Sequence, residues 1–370
     1  MLRRLGVVRA RLLAGMCAAG WLFAASAAAV NLTLTPYLQD MTPTAVTICW
    51  ETSTAVVGVV AYGPGTTLTN RLAERRATAH HEVRIEGLQP ATQYVYRVEG
   101  MPAGQGIPFR TAPPPGTASF RLAVYGDSRS NPTGHHGIAE LILQHRPDLV
   151  LHTGDFVGRG SETRLWKPEF FDPARNLIAQ VPLWPCLGNH EGESANYYRF
   201  FALPGRESWY SFDWGDAHFI SLDSCLPGAP GTEQYEWLVR DLATTRAPWK
   251  IAFLHHPPFS VHPTRAVSAT REHWSPLFRK YGVQLVFNGH DHQYARTHRI
   301  DASGNPDARG TVYIVAGGGG APLYPVTDKP YSAVAKSVHN FVVLDFAAGA
   351  VRGEAYDDRN EVIDSFEVML

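Results

Sequence analysis

The residues with the clearest chemical potential fall in five short polar clusters: Gly126-Asp127-Ser128-Arg129, Gly154-Asp155, Gly188-Asn189-His190-Glu191, His255-His256-Pro257-Pro258 and Gly289-His290-Asp291-His292. Together they offer carboxylate, amide oxygen and imidazole. That mixture suits first-row metals such as Fe, Mn and Zn, whereas an all-oxygen set would favour Mg or Ca. A single Gly-Asp pair is usually a turn, and a single His-x-His pattern says little more. Five clusters, each directly following a run that reads as a strand, point instead to side chains gathered at one edge of a sheet, the usual place for an α/β active site. The glycines are read as letting the chain turn sharply at each strand end, so that the next side chain faces a shared centre. Glu191 and Asp291, inside two clusters, are read as groups that orient neighbouring imidazoles rather than as ligands. His135, His136, His256, His262 and His339 could each line a pocket, but singly a structural or solvated histidine is the simpler reading.

The elements that must hold these clusters alternate along the chain. Apolar runs predict strands at 121–125, 149–152, 218–222, 251–254, 284–287 and 312–315, and helical spacing predicts helices over 138–145, 233–242 and 271–281. This alternation specifies an α/β layered domain, and the β-like runs from 341 to 370 are expected to complete a sheet. Upstream, β-rich runs at 45–51, 56–62 and 93–98 separated by turn residues read as a small antiparallel sandwich. Thr92, Tyr94 and Tyr96, following Leu88-Gln89-Pro90, resemble the tyrosine-bearing corner of a fibronectin type III-like domain. Pro113-Pro114-Pro115-Gly116 forms a stiff connector. The expected division is therefore a sandwich over 31–112, a Pro-rich linker over 113–118 and a catalytic domain over 119–370. Gly317 to Gly320, followed by Ala321-Pro322-Leu323-Tyr324, lacks the Lys-Ser or Lys-Thr of a phosphate-binding P-loop.

In this order, and behind such a sandwich, the five clusters resemble the signature of calcineurin-like metallophosphoesterases and narrow the likeness to the purple acid phosphatase group. The resemblance implies an α/β metallophosphatase layered sandwich, two central mixed sheets flanked by helices, preceded by the all-β domain. It implies two metal ions drawn from Fe, Zn and Mn. Asp127, Asp155 and His292 would hold the first, and Asp155, Asn189, His255 and His290 the second, with Asp155 bridging. Two ions about 3.5–4 Å apart can bridge a hydroxide and clamp phosphate oxygens for in-line attack. His190 matches the position that protonates the leaving alkoxide or stabilises its charge. Arg129, with its forked donor pair, and His262 are the candidate substrate contacts. The expected reaction is acid phosphatase-like hydrolysis of a small-molecule phosphomonoester. Phosphodiester hydrolysis on the same core is the alternative, and an inert cell-surface binding protein is a remote one, since inert relatives would be expected to lose ligands.

Two departures from the group stand out. Its purple members carry, three residues after the second aspartate, a tyrosine that binds ferric iron and gives the colour; here that position is Gly158. A Zn, Mn or mixed site is therefore expected in place of a ferric one. The histidines that help hold substrate downstream of His255 are not reproduced either, with His262 the only near candidate before His273.

Residues 1–29 read as a cleaved signal peptide: Arg3, Arg4, Arg9 and Arg11 precede an apolar run that ends in small residues near Ala27 and Ala29. The run is shorter than the roughly 20 residues a spanning helix needs. The expectation is export to the periplasm or beyond, without stable membrane insertion after cleavage. Cleavage removes four arginines and no acids, taking the formal charge from −1 to −5, so net charge gives no attraction to nucleic acid. Of the remaining Cys49, Cys186 and Cys225, a Cys186–Cys225 disulfide and three buried free thiols are both open.

Overall fold

The computed structural model describes residues 30–104 and 106–370, so the expected signal peptide lies outside the described residues. The N-terminal strands β1 (Leu32–Gln39), β2 (Ala45–Pro64), β3 (Asn70–Glu86), β4 (Gln93–Val98) and β5 (Ile107–Arg110) pair antiparallel throughout. The predicted runs at 45–51 and 56–62 are one strand. Register shifts between Glu51 and Val56 and between Val57 and Val59 let β2 bend, so its first part pairs with β1 and its second with β4. The tyrosine corner is present: the Tyr94 hydroxyl accepts a hydrogen bond from the Gln89 amide at 2.9 Å.

Two mixed sheets follow. The first contains β6 (Phe120–Tyr125), β7 (Leu149–His152) and β8 (Leu183–Pro185), parallel to one another. The second runs through β9 (Tyr210–Trp214), β10 (Ala217–Leu222), β11 (Trp249–Leu254), β12 (Leu285–Asn288), β13 (Tyr294–Thr297), β14 (Val312–Ala316) and β15 (Ser332–Lys336), in the order β15-β13-β14-β12-β11-β10-β9. The chain then returns with β16 (Asn340–Ala347), β17 (Ala350–Asp357) and β18 (Val362–Met369), which add antiparallel to β6 and complete the first sheet. Period-two alternation sorts the side chains. Phe219, Ile251, Phe253, Leu285 and Phe287 join the core shared with the first sheet, while Ile220, Ala252, Leu254 and Val286 face a second cluster.

Helices cover the outer faces: α1 (Pro132–Gln144), α2 (Thr163–Trp166) and α3 (Asp172–Gln180) over the first sheet, and α5 (Glu233–Thr244), α6 (Ala269–His273) and α7 (Ser275–Tyr281) over the second. A short α4 (Ala195–Phe200) follows the third cluster. α1 begins a turn and a half earlier than its apolar spacing suggests, because Asn131 caps Gly134 N and Pro132 suits the first turn. The helix predicted over 271–281 is two, since Pro276 cannot donate the amide that would continue the first. A π-helical turn, Lys167–Phe171, links α2 to α3.

The sandwich is fused to the layered domain. Tyr37 Oη donates to Phe200 O at 2.7 Å, Gln39 Nε2 to Leu183 O at 3.1 Å and Tyr96 Oη to Ala179 O at 2.9 Å. One continuous buried cluster includes Tyr37, Ile48 and Tyr96 together with Phe171, Leu177 and Phe200. Among the described residues no helix is long and apolar enough to cross a membrane.

Candidate metal centre

Strands β6, β7, β8, β11 and β12 all run the same way within their sheets, so the clusters that follow them emerge at one end of the sandwich. Asp127, Asp155 and His255 are buried, and each offers a donor atom within 4.8 Å of the others. His255 Nδ1 donates to Thr153 O at 2.8 Å, which turns Nε2 toward Asp155 Oδ1 at 3.3 Å and Asn189 Oδ1 at 3.0 Å. His290 Nδ1 meets the same amide oxygen at 2.9 Å. His292 donates through Nδ1 to Pro322 O at 2.6 Å, leaving Nε2 3.5 Å from Asp127 Oδ1. All six residues named as metal ligands are thus brought together, four on a buried floor, with Asn189 exposed and His290 half-buried at the mouth.

At this site the left-handed backbone falls mainly on ligand residues rather than on the motif glycines. Asp127, Asp155 and His290 have φ of 56, 58 and 67°, a region that non-glycine side chains seldom occupy. Most of the motif glycines are required for space instead: a Cβ on Gly188 would lie 2.2 Å from Asp155 N, and one on Gly289 2.4 Å from Asp127 Oδ2. Gly154, with φ 90°, is the one that also supplies the left-handed turn expected of all of them. The glycine-rich loop backs this floor. Gly319 N donates to Gly126 O and Ala321 N to Asp127 O, at 2.8 and 2.9 Å.

The electrostatics are those of a cation site. Burial lowers the affinity of His255 for a proton, but the charge and hydrogen bond of Asp155, with Asp127 behind, reverse this and raise its pKa to about 10. In the metal-free chain, a proton on His255 therefore serves the carboxylates that a bound cation would serve, and metal binding would release it. Burial alone starts Asp127 well above the usual carboxylate range. His290 and His292 go the other way. Burial, then the charge of His255, depresses His290 to about 2, and burial depresses His292 to about 4, so both keep lone pairs in acid. Three imidazole nitrogens, an amide oxygen and two carboxylates converging in this way fit a dinuclear first-row metal centre.

The remaining candidates sit around this floor. His190 Nδ1 donates to Gly158 O at 2.7 Å, so Nε2 faces Asp155 Oδ2 at 3.7 Å. Arg129 places Nε 3.4 Å from Asp155 Oδ2 and Nη2 3.4 Å from His292 Nε2. His262 lies further out, touching no metal-ligand candidate; its ring meets the edge of Tyr324 at 5.5 Å, and Nδ1 accepts from Thr264 N.

Several expectations need correction. Glu191 and Asp291 do not orient imidazoles. Glu191 accepts four backbone N–H groups, from Asp155, Phe156, Val157 and Gly188 at 2.8–3.3 Å. Asp291 accepts from the Ser260 hydroxyl and Arg265 Nε. Cys49, Cys186 and Cys225 are all unpaired, the first two buried and Cys225 exposed, so neither the Cys186–Cys225 disulfide nor three buried thiols describes them. His135, His136 and His339 bond backbone carbonyls and are structural. His256 is bonded through Nδ1 to the Ser224 hydroxyl at 2.9 Å, and its ring also lies 4.3 Å from that of His290, beside the site. Tyr324, stacked on His292 at 4.1 Å, was also missed. The adjacent pair His255-His256 was the available signal for the first; the second carried none.

A layered double sheet with a converged carboxylate, amide and imidazole set is the architecture of a metallophosphoesterase. The sequence matches the calcineurin-like phosphoesterase family over residues 120–294 and the purple acid phosphatase N-terminal domain over residues 30–111. It is 31% identical to acid phosphatase type 7 of Mus musculus over 342 residues, covering 80% of this chain and 78% of that protein. It is 33% identical to purple acid phosphatase 15 of Arabidopsis thaliana over 286 residues, covering 65% of this chain but only 53% of the plant protein, about half its length. The chain belongs to the purple acid phosphatase-like group of calcineurin-like phosphoesterases. The structure of purple acid phosphatase PPD1 from yellow lupin seeds superposes with a TM-score of 0.77 at 21% identity, covering 90% of this chain and 74% of that one. GAP50, the anchor in the inner membrane complex of Plasmodium, superposes at 0.57 and 18% identity over 69% of this chain and 90% of that one. The fold is thus shared with a protein described as an anchor, and the ligand set has to carry the argument for chemistry.

Proposed function

We propose that this chain is an exported, dinuclear metal-dependent phosphatase that hydrolyses small phosphomonoesters, with residues 1–29 directing it to the periplasm or beyond. One observation carries the reading: Asp127, Asp155, His255 and His292 on the buried floor, with Asn189 and His290 at its mouth, converge on one site. We assign Asp127, Asp155 and His292 to a first ion and Asp155, Asn189, His255 and His290 to a second, each Fe, Zn or Mn. When bound, such ions supply Lewis-acid charge and an activated water nucleophile.

The chain's own groups do the rest. Arg129 lies against Asp155 and His292, where its guanidinium meets a phosphate oxygen and orients the ester. His190 is held through Nδ1 by Gly158 O, so Nε2 is the atom that carries a proton to the leaving oxygen. The neutral state of His290 and His292 down to about pH 4 keeps their lone pairs available in acid, which suits an acid phosphatase.

The test is hydrolysis of p-nitrophenyl phosphate and bis-p-nitrophenyl phosphate by the mature protein, with and without chelator, beside Asp155→Asn and His190→Ala. Chelator-sensitive monoesterase activity, absent in Asp155→Asn and reduced roughly 10²–10⁴-fold in His190→Ala, is expected. A better rate on the diester would transfer the reading to a phosphodiesterase, and a protein that binds no metal would end it.

A further inference from the structure

Beyond His292 the wall of the site carries a cation that the reaction core does not use. Arg265 lies on the segment between β11 and α6. Its Nε donates to Asp291 Oδ1 at 3.0 Å; Asp291 is fully buried, and its other oxygen is taken by the Ser260 hydroxyl. The anchor is therefore built into the same turn that carries His290 and His292. The Arg265 guanidinium carbon lies 6.0 Å from the Tyr324 ring centroid, and Tyr324 stacks on the His292 ring at 4.1 Å and 16°. One aromatic ring separates this cation from a candidate metal ligand. Its charge also reaches His256 and His290.

The free end of the side chain is the informative part. Asp291 occupies Nε, and neither terminal nitrogen has a hydrogen-bonding or carboxylate partner among the described residues. The side chain is 36% exposed, so solvent and ligand both reach it. A buried carboxylate is costly unless paired, so Asp291 fixes the guanidinium plane while leaving its two-pronged end open. A phosphate seated between Arg129 and the metal floor cannot also reach across Tyr324. A second anion on the same molecule can.

We propose that Arg265 binds a second anionic group of the substrate, so that the preferred substrates are phosphomonoesters whose alcohol portion bears a carboxylate or a further phosphate. The inference rests on the phosphatase reading above, but its test separates the two. Phenyl phosphate and 4-carboxyphenyl phosphate differ by one carboxylate, and benzylphosphonate and 4-carboxybenzylphosphonate repeat the comparison without turnover. The metal-loaded full chain is expected to favour the carboxylated member of each pair roughly tenfold, in KM for the esters and in Kd by titration calorimetry for the phosphonates. Arg265→Met should bring both ratios to about one, and Arg265→Lys, which keeps charge without the fork, should recover part. A wild-type protein indifferent to the carboxylate, or an Arg265→Met loss shared equally by both members of a pair, would overturn the proposal. If no ester is turned over but the phosphonate ratio is present and collapses in Arg265→Met, the anion subsite stands and the phosphatase reading fails.

Discussion

Replacing Glu191 by glutamine changes one atom and tests how the metal floor is held. Each carboxylate oxygen serves two backbone N–H groups: Oε2 accepts from Asp155 and Gly188 at 2.8 and 3.1 Å, Oε1 from Phe156 and Val157 at 2.9 and 3.3 Å. Burial, then the charge of Asp155, pushes the pKa of this group up to about 8, and the N–H donors pull it back. With both oxygens facing only donors, the geometry is that of the carboxylate. An amide can satisfy one oxygen's pair, but its NH₂ then faces two N–H groups, whichever way it is turned. Two buried donors lose their acceptor, at about 1–3 kcal/mol each, so Glu191→Gln should cost roughly 2–6 kcal/mol. That is a large share of the ~5–15 kcal/mol that holds a domain together. The loss falls on the 155–157 turn, so metal affinity should drop along with stability. Urea melts of metal-loaded and metal-free protein, with metal analysis of each, provide the assay. A variant that melts within about 0.5 kcal/mol of wild type and keeps its metal would refute the reasoning.

Other expectations follow from particular contacts. Burial pulls His218 down, but Asp213 and Asp241, at 2.7 and 2.8 Å, outweigh it and raise its pKa to about 9. Its stabilisation is complete below the unfolded value of about 6.5 and is lost as pH rises through 9; with Asp213 largely exposed, it amounts to roughly 2 kcal/mol. Melts from pH 6 to 10 should show this loss in wild type and not in His218→Gln. Iron-loaded protein should lack the strong visible band of a phenolate ligand, because Gly158 stands where the tyrosine would be; a purple preparation would contradict this. A chain lacking residues 31–112 should aggregate or bind a hydrophobic dye, since it uncovers Phe171, Leu177 and Phe200, which are buried in the shared core; a soluble, cooperatively folded 119–370 fragment would show the sandwich to be dispensable.

Much of the fold was legible because local pattern and tertiary role agree. Runs such as 149–152 and 251–254 are apolar on both faces because their strands are covered on both faces, and the polar residues that interrupt them sit where the strands end. The failures share a cause. The break between α6 and α7 needed Pro276 to outweigh a continuous apolar stripe, and the single β2 needed bulges that no residue announces.

The sequence by itself determined the donor set: the types of Asp127, Asp155, Asn189, His255, His290 and His292, and their places after apolar runs, are covalent facts that local propensity carries to the strand ends. Tertiary structure alone decided what surrounds them. Glu191 turns to four amides rather than to a histidine, Asp291 takes Arg265, and Tyr324 lies on His292, because the partners come from segments separated in sequence and meet only when the two sheets close. A hydrogen-bonding side chain names its chemistry in the sequence, but its partner is chosen by which other groups are buried beside it.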